Sequence, residues 1–412
     1  MPNSKISYCD RFIIFLFSIF PISILIGNLF INLVILLISL LFIFKLIKKD
    51  FNNFDFKENY IIFFLLLFFF LSLVVNVIFS NNIYLSYPRV LKFFFVIFFI
   101  LAFKLLITKY STNLDNVYKI WNIIFFVVIA DLIFEFFVGY NSLGQKSVMP
   151  GRLGSFTGQE SVVGGYILAF CLISLSFIYN KFKNNLINIL IAIFFITISF
   201  FIGERANFIR TLLAIILFIF FIYEVSLKNK IISVILIFVS ICLLFLNLNS
   251  DYKQRYFKQL KYLFTPNGIT NYLENSQYGA HRNVAKEIFI DNPIFGVGIK
   301  NFRTESPKEK YDDLDHNKNQ GRVANHPHQI YYEFLSETGL FGLVSFIIFI
   351  TYSIFLSLKN YIKKRNIFQF SAIVYVILSI LPVIPTGSFL ATYASALFWI
   401  NYAIMMGYNT RD

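Results

Sequence analysis

Long apolar segments recur along this chain, and no other feature of the sequence constrains its fold as strongly. The runs of membrane-spanning length lie at roughly 11–27, 29–47, 60–80, 89–108, 117–139, 161–180, 186–203, 207–225, 230–248, 338–358, 367–384 and 388–407. About 20 apolar residues in a helix cross the hydrocarbon core of a bilayer. The chain is 58% hydrophobic and 14% charged, whereas a soluble domain keeps about a quarter of its residues charged. The sequence therefore predicts an all-α integral membrane protein with about twelve transmembrane helices, and it excludes an ordinary soluble enzyme.

The positive charge is distributed unevenly between alternate connections. The net charge is +14, which would suit a nucleic-acid-binding protein if the cations shared one surface. With the N-terminus inside, the inner termini and connections hold about 18 Lys and Arg and the short outer connections about 6. Cytoplasmic loops retain these cations. We therefore predict cytoplasmic termini, an outward-facing segment after the ninth helix, and no nucleic-acid partner.

The main polar segment spans 249–328, between the ninth and tenth predicted helices. We interpret residues 1–412 as a single polytopic membrane domain into which this segment is inserted as an outer loop. Within the loop, Tyr252–Phe264 has one apolar and one basic face, which predicts a helix at the lipid interface or packed on the bundle. A second helix is predicted at His281–Asp291, ended by Asn292–Pro293. The loop is thus expected to be partly helical.

All four histidines lie in this loop, at His281, His316, His326 and His328. Histidine is the side chain most readily poised as a base near neutral pH. Polar residues of every kind collect in a polar segment, however, so position alone gives His281 and His316 no function. His326 lies two residues before His328, and on a helix the two side chains would face apart.

A spaced motif leads into the tenth predicted helix. His328 and Gln329 are followed, after nine residues, by Gly339 and Gly342 in a Gly-x-x-Gly pair. This pattern at the entrance to a late membrane helix resembles the signature of the bacterial O-antigen ligase family. Two further stretches resemble the same family in the same order.

The first of these stretches is residues 203–207, Gly-Glu-Arg-Ala-Asn, which look like the family's outward-facing arginine turn. Either Arg205 or Arg210 can be the phosphate contact of this turn. The second is His281-Arg282 with the Pro-x-x-Gly-x-Gly turn at 293–298, which looks like the family's loop arginine and its following turn. With the span count and the loop position, the resemblance covers most of the chain.

The resemblance implies a glycosyltransferase of the bacterial inner membrane that works without a metal or other cofactor. Its expected partners are membrane lipids, a glycan on an undecaprenyl diphosphate donor, and an acceptor hydroxyl, such as that of the lipid A core, at the periplasmic face. A hydroxyl is a weak nucleophile, so we predict His328 as the catalytic base. Arg205 and Arg282 are predicted to hold the leaving diphosphate. The candidate substrate-binding residues are Arg152, Arg210, Gln329, His326, Gly339 and Gly342.

Structural alternatives exist for each candidate. His328 can simply hydrogen-bond at a helix entrance, and Arg205 and Arg282 can be paired with carboxylates such as Glu204 and Glu287. The acidic cluster Asp312, Asp313, Asp315 and His316 is interpreted as a solvated loop rather than a metal site. The cysteines, Cys9, Cys171 and Cys242, are interpreted as apolar residues without a redox role.

Functional alternatives also remain. Repeat-unit polymerases and protein glycosyltransferases share this layout, so the sequence identifies neither the sugar, the acceptor nor the oligomeric state. In the fifth helix, Asp131 and Glu135 lie one turn apart, and ionisable residues at membrane depth suit a secondary transporter. Against that class, the main polar connection does not fall between two six-helix halves.

Overall fold

The structure, a computed structural model, describes residues 6–48, 56–160, 162–246, 253–254, 256–257, 264–314 and 321–409. In these ranges all regular secondary structure is helical, which confirms the all-α prediction. The α-helices are α1 (Tyr8–Ile26), α2 (Asn28–Ile47), α3 (Phe56–Ile78), α4 (Ile83–Lys109), α5 (Ser111–Val138), α6 (Val163–Lys181), α7 (Asn185–Phe201), α8 (Arg205–Phe221), α9 (Leu227–Leu246), α10 (Gly268–Asn275), α11 (Gln277–Asp291), α12 (Phe302–Glu305), α13 (Ile330–Lys364), α14 (Ile367–Ser379) and α15 (Thr392–Gly407).

Eight of the described helices are long and apolar enough to cross a membrane: α1, α2, α3 over Tyr60–Ile78, α4, α5, α6, α9 and α13. Two shorter apolar helices, α7 and α14, accompany them. The protein is therefore a multi-pass membrane protein, as the sequence predicts. The total of twelve spans stays a prediction.

Aromatic side chains fill the core of the bundle. The ring of Phe69 stacks on that of Phe349 with centroids 4.9 Å apart, and the buried Trp121 donates its indole N–H to the Phe17 carbonyl at 2.8 Å. Lipid chains are as apolar as these rings, so the hydrophobic effect contributes little to helix association inside a membrane. Close van der Waals packing and a few buried hydrogen bonds hold the helices together instead.

The two ends of the described chain lie on the same face of the bundle, which we call the termini face. There Lys45 near the end of α2 forms an ion pair with Asp10 near the start of α1. Lys104, near the end of α4, donates to the main-chain carbonyl of Asn409. Both contacts tie a chain end to the same set of helix ends.

The 264–329 segment contacts the other end of α4, on what we call the loop face. Near the start of that helix, Ser86 Oγ donates to the Ile299 carbonyl at 2.7 Å. The helix has 27 residues and is about 40 Å long at about 1.5 Å per residue. The segment and the chain ends therefore lie on opposite faces of the bundle.

The segment contains the second predicted helix, but that helix begins earlier than expected. It runs over Gln277–Asp291 rather than from His281, because Ser276 caps its N-terminus by accepting from the Gly279 amide at 3.1 Å. A further helix, α10, was not predicted. Most of the amphipathic stretch predicted at Tyr252–Phe264 lies outside the described residues. Of that stretch, Tyr256 is described, and its hydroxyl donates to the Phe200 carbonyl at 2.7 Å.

Helix α13 begins eight residues before the apolar run that predicts it. Its helical backbone is interrupted at Gly339. Gly339 has φ +63°, which removes normal helical hydrogen bonds around it. The Leu340 amide donates instead to the Pro293 carbonyl at 2.8 Å, and the Gly298 amide donates to the Glu337 carbonyl at 2.8 Å. The break and the 293–298 turn thus supply each other's missing partners.

Candidate active site

A cavity of about 510 Å³ opens on the loop face between α8, α11, the residues before α13 and the 382–385 segment. Arg205, Arg282 and His328 all line it. These residues lie far apart in the sequence, and the fold brings them to one cavity. Three prolines, three tyrosines and several aliphatic residues are among the others that line it, so the polar groups converge in a largely apolar pocket, the usual form of a ligand site.

Arg205 reaches the cavity because the connection between α7 and α8 is very tight. Gly203 has φ +74°, and a Cβ there would lie 2.0 Å from the Gly151 carbonyl oxygen. Arg205 is the first residue of α8. Backbone amides at a helix start are free to donate, and they favour negative charge. This end of α8 therefore adds to the positive potential of the arginine.

The neighbouring Glu204 binds Arg152 instead of serving the cavity. Its Oε1 lies 3.1 Å from Arg152 Nη2 and accepts from the Gly164 amide at 3.0 Å. The ion pair joins the 149–155 turn to the start of α8. Arg152 thus lies outside the cavity wall, and its role in substrate binding stays a prediction.

Arg210 also lies outside the wall. Its side chain is 4% exposed, with Nε donating to the Leu378 carbonyl and Nη2 to the carbonyls of Ile384 and Pro385, at 2.9–3.0 Å. These bonds stabilise the irregular 378–385 segment, one side of which lines the cavity. The position favours a structural role for Arg210, so of these two arginines Arg205 is the one that lines the cavity.

Arg282 extends from the first half of α11. In the part of the chain that the structure describes, its Nε is buried without a hydrogen-bond partner. Buried donors in native proteins are nearly always bound, by the protein, water or a ligand. A planar guanidinium with a spare donor at a cavity suits a phosphate oxygen.

His328 faces the cavity from a left-handed backbone conformation, with φ +58°. Its carbonyl accepts from the Thr386 amide at 2.8 Å, which fixes the turn. Its ring stacks on that of His281 at a centroid distance of 5.2 Å and lies 4.0 Å from the ring of His326. Three imidazoles therefore form one cluster, of which His328 lines the cavity.

Burial keeps this cluster uncharged. It lowers the pKa of His328 to about 3, with a further contribution from His326. Burial likewise lowers the pKa values of His281 and His326 to about 4. His328 is thus neutral at physiological pH, the form in which an imidazole can accept a proton.

The expectation that His326 and His328 face apart is wrong. It assumed a helix, but the residues before Ile330 are not helical, so side chains two positions apart can meet. His281, for which the sequence offered no role, is 2% exposed and stacks on His328. Its position next to Arg282 was the one signal that could have singled it out.

The other motif residues have structural contacts. Gln329 caps α13 by accepting from the Tyr332 amide at 2.9 Å, and its amide donates to the Pro382 carbonyl at 2.7 Å. A Cβ at Gly339 would lie 2.3 Å from the Ile294 carbonyl oxygen, and one at Gly342 would lie 2.2 Å from Thr338 Oγ1. Gln329 still lines the cavity, whereas the glycines lie at packed contacts.

The carboxylates that suit a transporter have local partners. Asp131 accepts from the Ser142 amide at 2.8 Å and from Ser155 Oγ at 2.6 Å. Glu135 accepts from the amides of Gly154 and Ser155. The pair therefore anchors the 141–155 connection at the end of α5, which accounts for both charges without a proton path.

Of the acidic cluster in the loop, Asp312 forms an ion pair with Arg322. Asp315 and His316 lie outside the described residues. The expectation that this stretch binds no metal stays a prediction.

Fold and cavity together define a multi-pass membrane protein with a polar, arginine-containing pocket at one face of its helical bundle. Residues 189–347 match the family model described as O-Antigen ligase. This match begins within α7, extends past the break in α13 and includes Arg205, Arg282 and His328, so this part of the chain is similar to O-antigen ligases. None of the curated proteins compared with the chain matches it.

Proposed function

We propose that this protein transfers a glycan from an undecaprenyl diphosphate carrier to a hydroxyl of the lipid A core, at the periplasmic face of the inner membrane. The convergence of Arg205, Arg282 and His328 on one cavity supports this proposal. A donor of this kind carries a diphosphate, and cations are needed to stabilise its negative charge. The acceptor hydroxyl must lose its proton during transfer, and a base is needed to accept that proton.

In the proposed reaction, His328 accepts the proton of the acceptor hydroxyl while the hydroxyl oxygen attacks the anomeric carbon of the glycan. The bond from that carbon to the phosphate oxygen breaks, and the diphosphate leaves on its lipid. Arg205 and Arg282 stabilise the negative charge that grows on the leaving oxygen. The anionic donor also raises the proton affinity of His328, since an opposite charge nearby favours imidazolium.

The test is transfer by His328→Asn, Arg205→Met and Arg282→Met, expressed in a strain that lacks the native protein. Loss of a general base costs about 10²- to 10⁴-fold in rate, so we expect at least a hundredfold loss for His328→Asn. Lys286→Met is the matched control, because Lys286 is exposed and lies one turn from Arg282 on α11. Membrane content and thermal unfolding in detergent show whether each variant folds. Folded variants that all transfer at the wild-type rate would refute the mechanism.

The acceptor is tested separately, because a repeat-unit polymerase of the same family is the second candidate. In a deletion strain, loss of both long-chain and single-repeat lipopolysaccharide, with full-length glycan left on the carrier lipid, identifies a ligase. Survival of single-repeat lipopolysaccharide without the ladder identifies a polymerase. An unchanged profile redirects the search to protein or exopolysaccharide acceptors, or to transport.

A further inference from the structure

Four cations gather at the loop-face end of α4, and we call them the α4 cation cluster. They are Arg89 and Lys92, one turn apart on α4, with Lys300 and Arg303 from the segment around α12. Arg89 is repelled by Arg303, Lys92 by Arg89, and Lys300 by both arginines. None of the four lines the 510 Å³ cavity.

Hydrogen bonds hold the loop half of this cluster on the bundle. Asn301 Nδ2 donates to Ser86 Oγ at 3.0 Å, and the Ile299 amide donates to Asn76 Oδ1 at 3.1 Å. These buried contacts fix residues 299–301 against α3 and α4. Lys300 and Arg303 therefore stay beside Arg89 despite the repulsion between them.

Nearby carboxylates neutralise the cluster incompletely. Glu337 accepts from the Lys300 amide at 2.8 Å and from the Phe302 amide at 3.4 Å. Glu333 accepts from the Phe389 amide at 2.9 Å and from Ser388 Oγ, and Ser388 in turn accepts from Lys300 Nζ. By formal charge, four cations and two carboxylates leave an excess of two positive charges.

Two donors of the cluster have no partner within the described residues. Lys92 Nζ and Arg303 Nε are buried there without a hydrogen bond, while Arg89 Nη1 makes one long contact of 3.5 Å with Thr392 Oγ1. Buried donors are normally bound by the protein, by water or by a ligand. The excess charge favours an anion over water.

The cluster lies next to the proposed base. Lys300 and Arg303 both act electrostatically on His326, and the ring of His326 is 4.0 Å from that of His328. Arg205 and Arg282 line the cavity with His328. The cluster does not line the cavity and is connected to His328 by way of His326. An anion at the cluster would thus be bound close to the reaction centre but apart from the diphosphate.

We propose that the α4 cation cluster is a second anion subsite that binds a phosphoryl group on the acceptor. Two guanidinium and two ammonium groups suit phosphate oxygens, and a phosphate monoester carries about two negative charges at neutral pH, which matches the excess. A neutral sugar would leave that charge buried. The acceptor assignment rests on the proposed function; the phosphoryl subsite does not.

The experiment compares two acceptors that carry the same hydroxyl, a phosphorylated lipid A core and its chemically dephosphorylated form. Purified Arg303→Gln and Lys92→Met are assayed in vesicles, with Lys146→Met, an exposed lysine on another connection, as the control. Losing one charge-assisted hydrogen bond weakens binding by about 10- to 100-fold. We expect KM for the phosphorylated acceptor to rise by that factor, with kcat, donor KM and the poor use of the dephosphorylated acceptor unchanged.

Equal use of both acceptors by the wild type would overturn the proposal. So would a rise in donor KM in the variants, which would assign the cluster to the donor. A KM effect that disappears when anionic vesicles are replaced by phosphatidylcholine would assign it to a lipid headgroup. If the wild type transfers to neither acceptor, calorimetric binding of the phosphorylated core oligosaccharide decides. Tighter binding than the dephosphorylated form, lost in Arg303→Gln, supports the subsite even though the proposed function fails; equal binding refutes it.

Discussion

The protonation of His328 follows from its surroundings rather than from its residue type. A free histidine titrates near pH 6.5, but burial and His326 lower the pKa of His328 to about 3. The form that accepts a proton is the neutral one. In the free enzyme this form predominates over the whole physiological range, and it is lost only as the pH falls through the lowered value.

We therefore expect kcat/KM for transfer to stay level between about pH 5 and 8, because this ratio reports the free enzyme. The acid limb of the kcat profile should lie at higher pH than that of the kcat/KM profile, since the bound diphosphate favours the imidazolium form of His328. Initial rates at several pH values, with donor and acceptor varied, measure both limbs. A loss of half of kcat/KM between pH 6 and 7 would contradict the buried, neutral His328.

Folding stability must be followed at each pH as a control. The pKa values of His281, His326 and His328 are lowered in the folded state, so the unfolded chain binds more protons as the pH falls below about 6.5. Their contribution to stability is full above that value and is lost as the pH falls through about 4 for His281 and His326 and about 3 for His328. A fall in rate that tracks the melting temperature reports this effect rather than catalysis.

At this scale the sequence predicts residue types better than their contacts. The motif around His328, together with Arg205 and Arg282, was enough to predict three residues that share one cavity. It could not separate Arg205 from Arg210, because the difference depends on carbonyl groups of the 378–385 segment that accept from Arg210. That irregular backbone is distant in sequence and has no periodic pattern.

At the scale of elements, the break in α13 links the motif to the site. Residues before Gly339 lead back to His328, and the turn at 293–298 binds both sides of the break. Helix periodicity predicts an apolar span there but not its break, because an isolated glycine is also tolerated in a regular helix. The approach of the Ile294 carbonyl is what requires glycine at this position.

Gly339→Ala should therefore destabilise the protein and impair transfer. The left-handed backbone alone costs about 1–3 kcal/mol for a residue with a side chain, and the new Cβ would lie 2.3 Å from the Ile294 oxygen. Gly144→Ala is the matched control, since Gly144 has φ +77° with open space around it. Intrinsic fluorescence of the buried Trp121 and Trp399 reports unfolding in detergent. Equal melting temperatures for the two variants would show that the close contact does not matter.

At the scale of the whole molecule, the bundle has two distinct faces. The termini face carries the ion pair of Lys45 with Asp10 and the contact of Lys104 with Asn409. The loop face carries the cavity and the α4 cation cluster. Charge counts along the sequence predict which face meets the cytoplasm, because the inner connections hold about three times as many Lys and Arg as the short outer ones.

This orientation predicts which positions a membrane-impermeant maleimide can reach in intact cells, once the outer membrane is permeabilised. Single cysteines at Lys146 and Lys308, both exposed and on the loop-face connections, should react. Cysteines at Lys48 and Lys183, exposed beyond α2 and α6, should react only after the inner membrane is opened. The background is Cys9→Ser, Cys171→Ala and Cys242→Ser, which removes the free thiols. Labelling at Lys48 and Lys183 but not at Lys146 and Lys308 in intact cells would invert the orientation. It would place the cavity in the cytoplasm, where His328 could not meet a periplasmic acceptor.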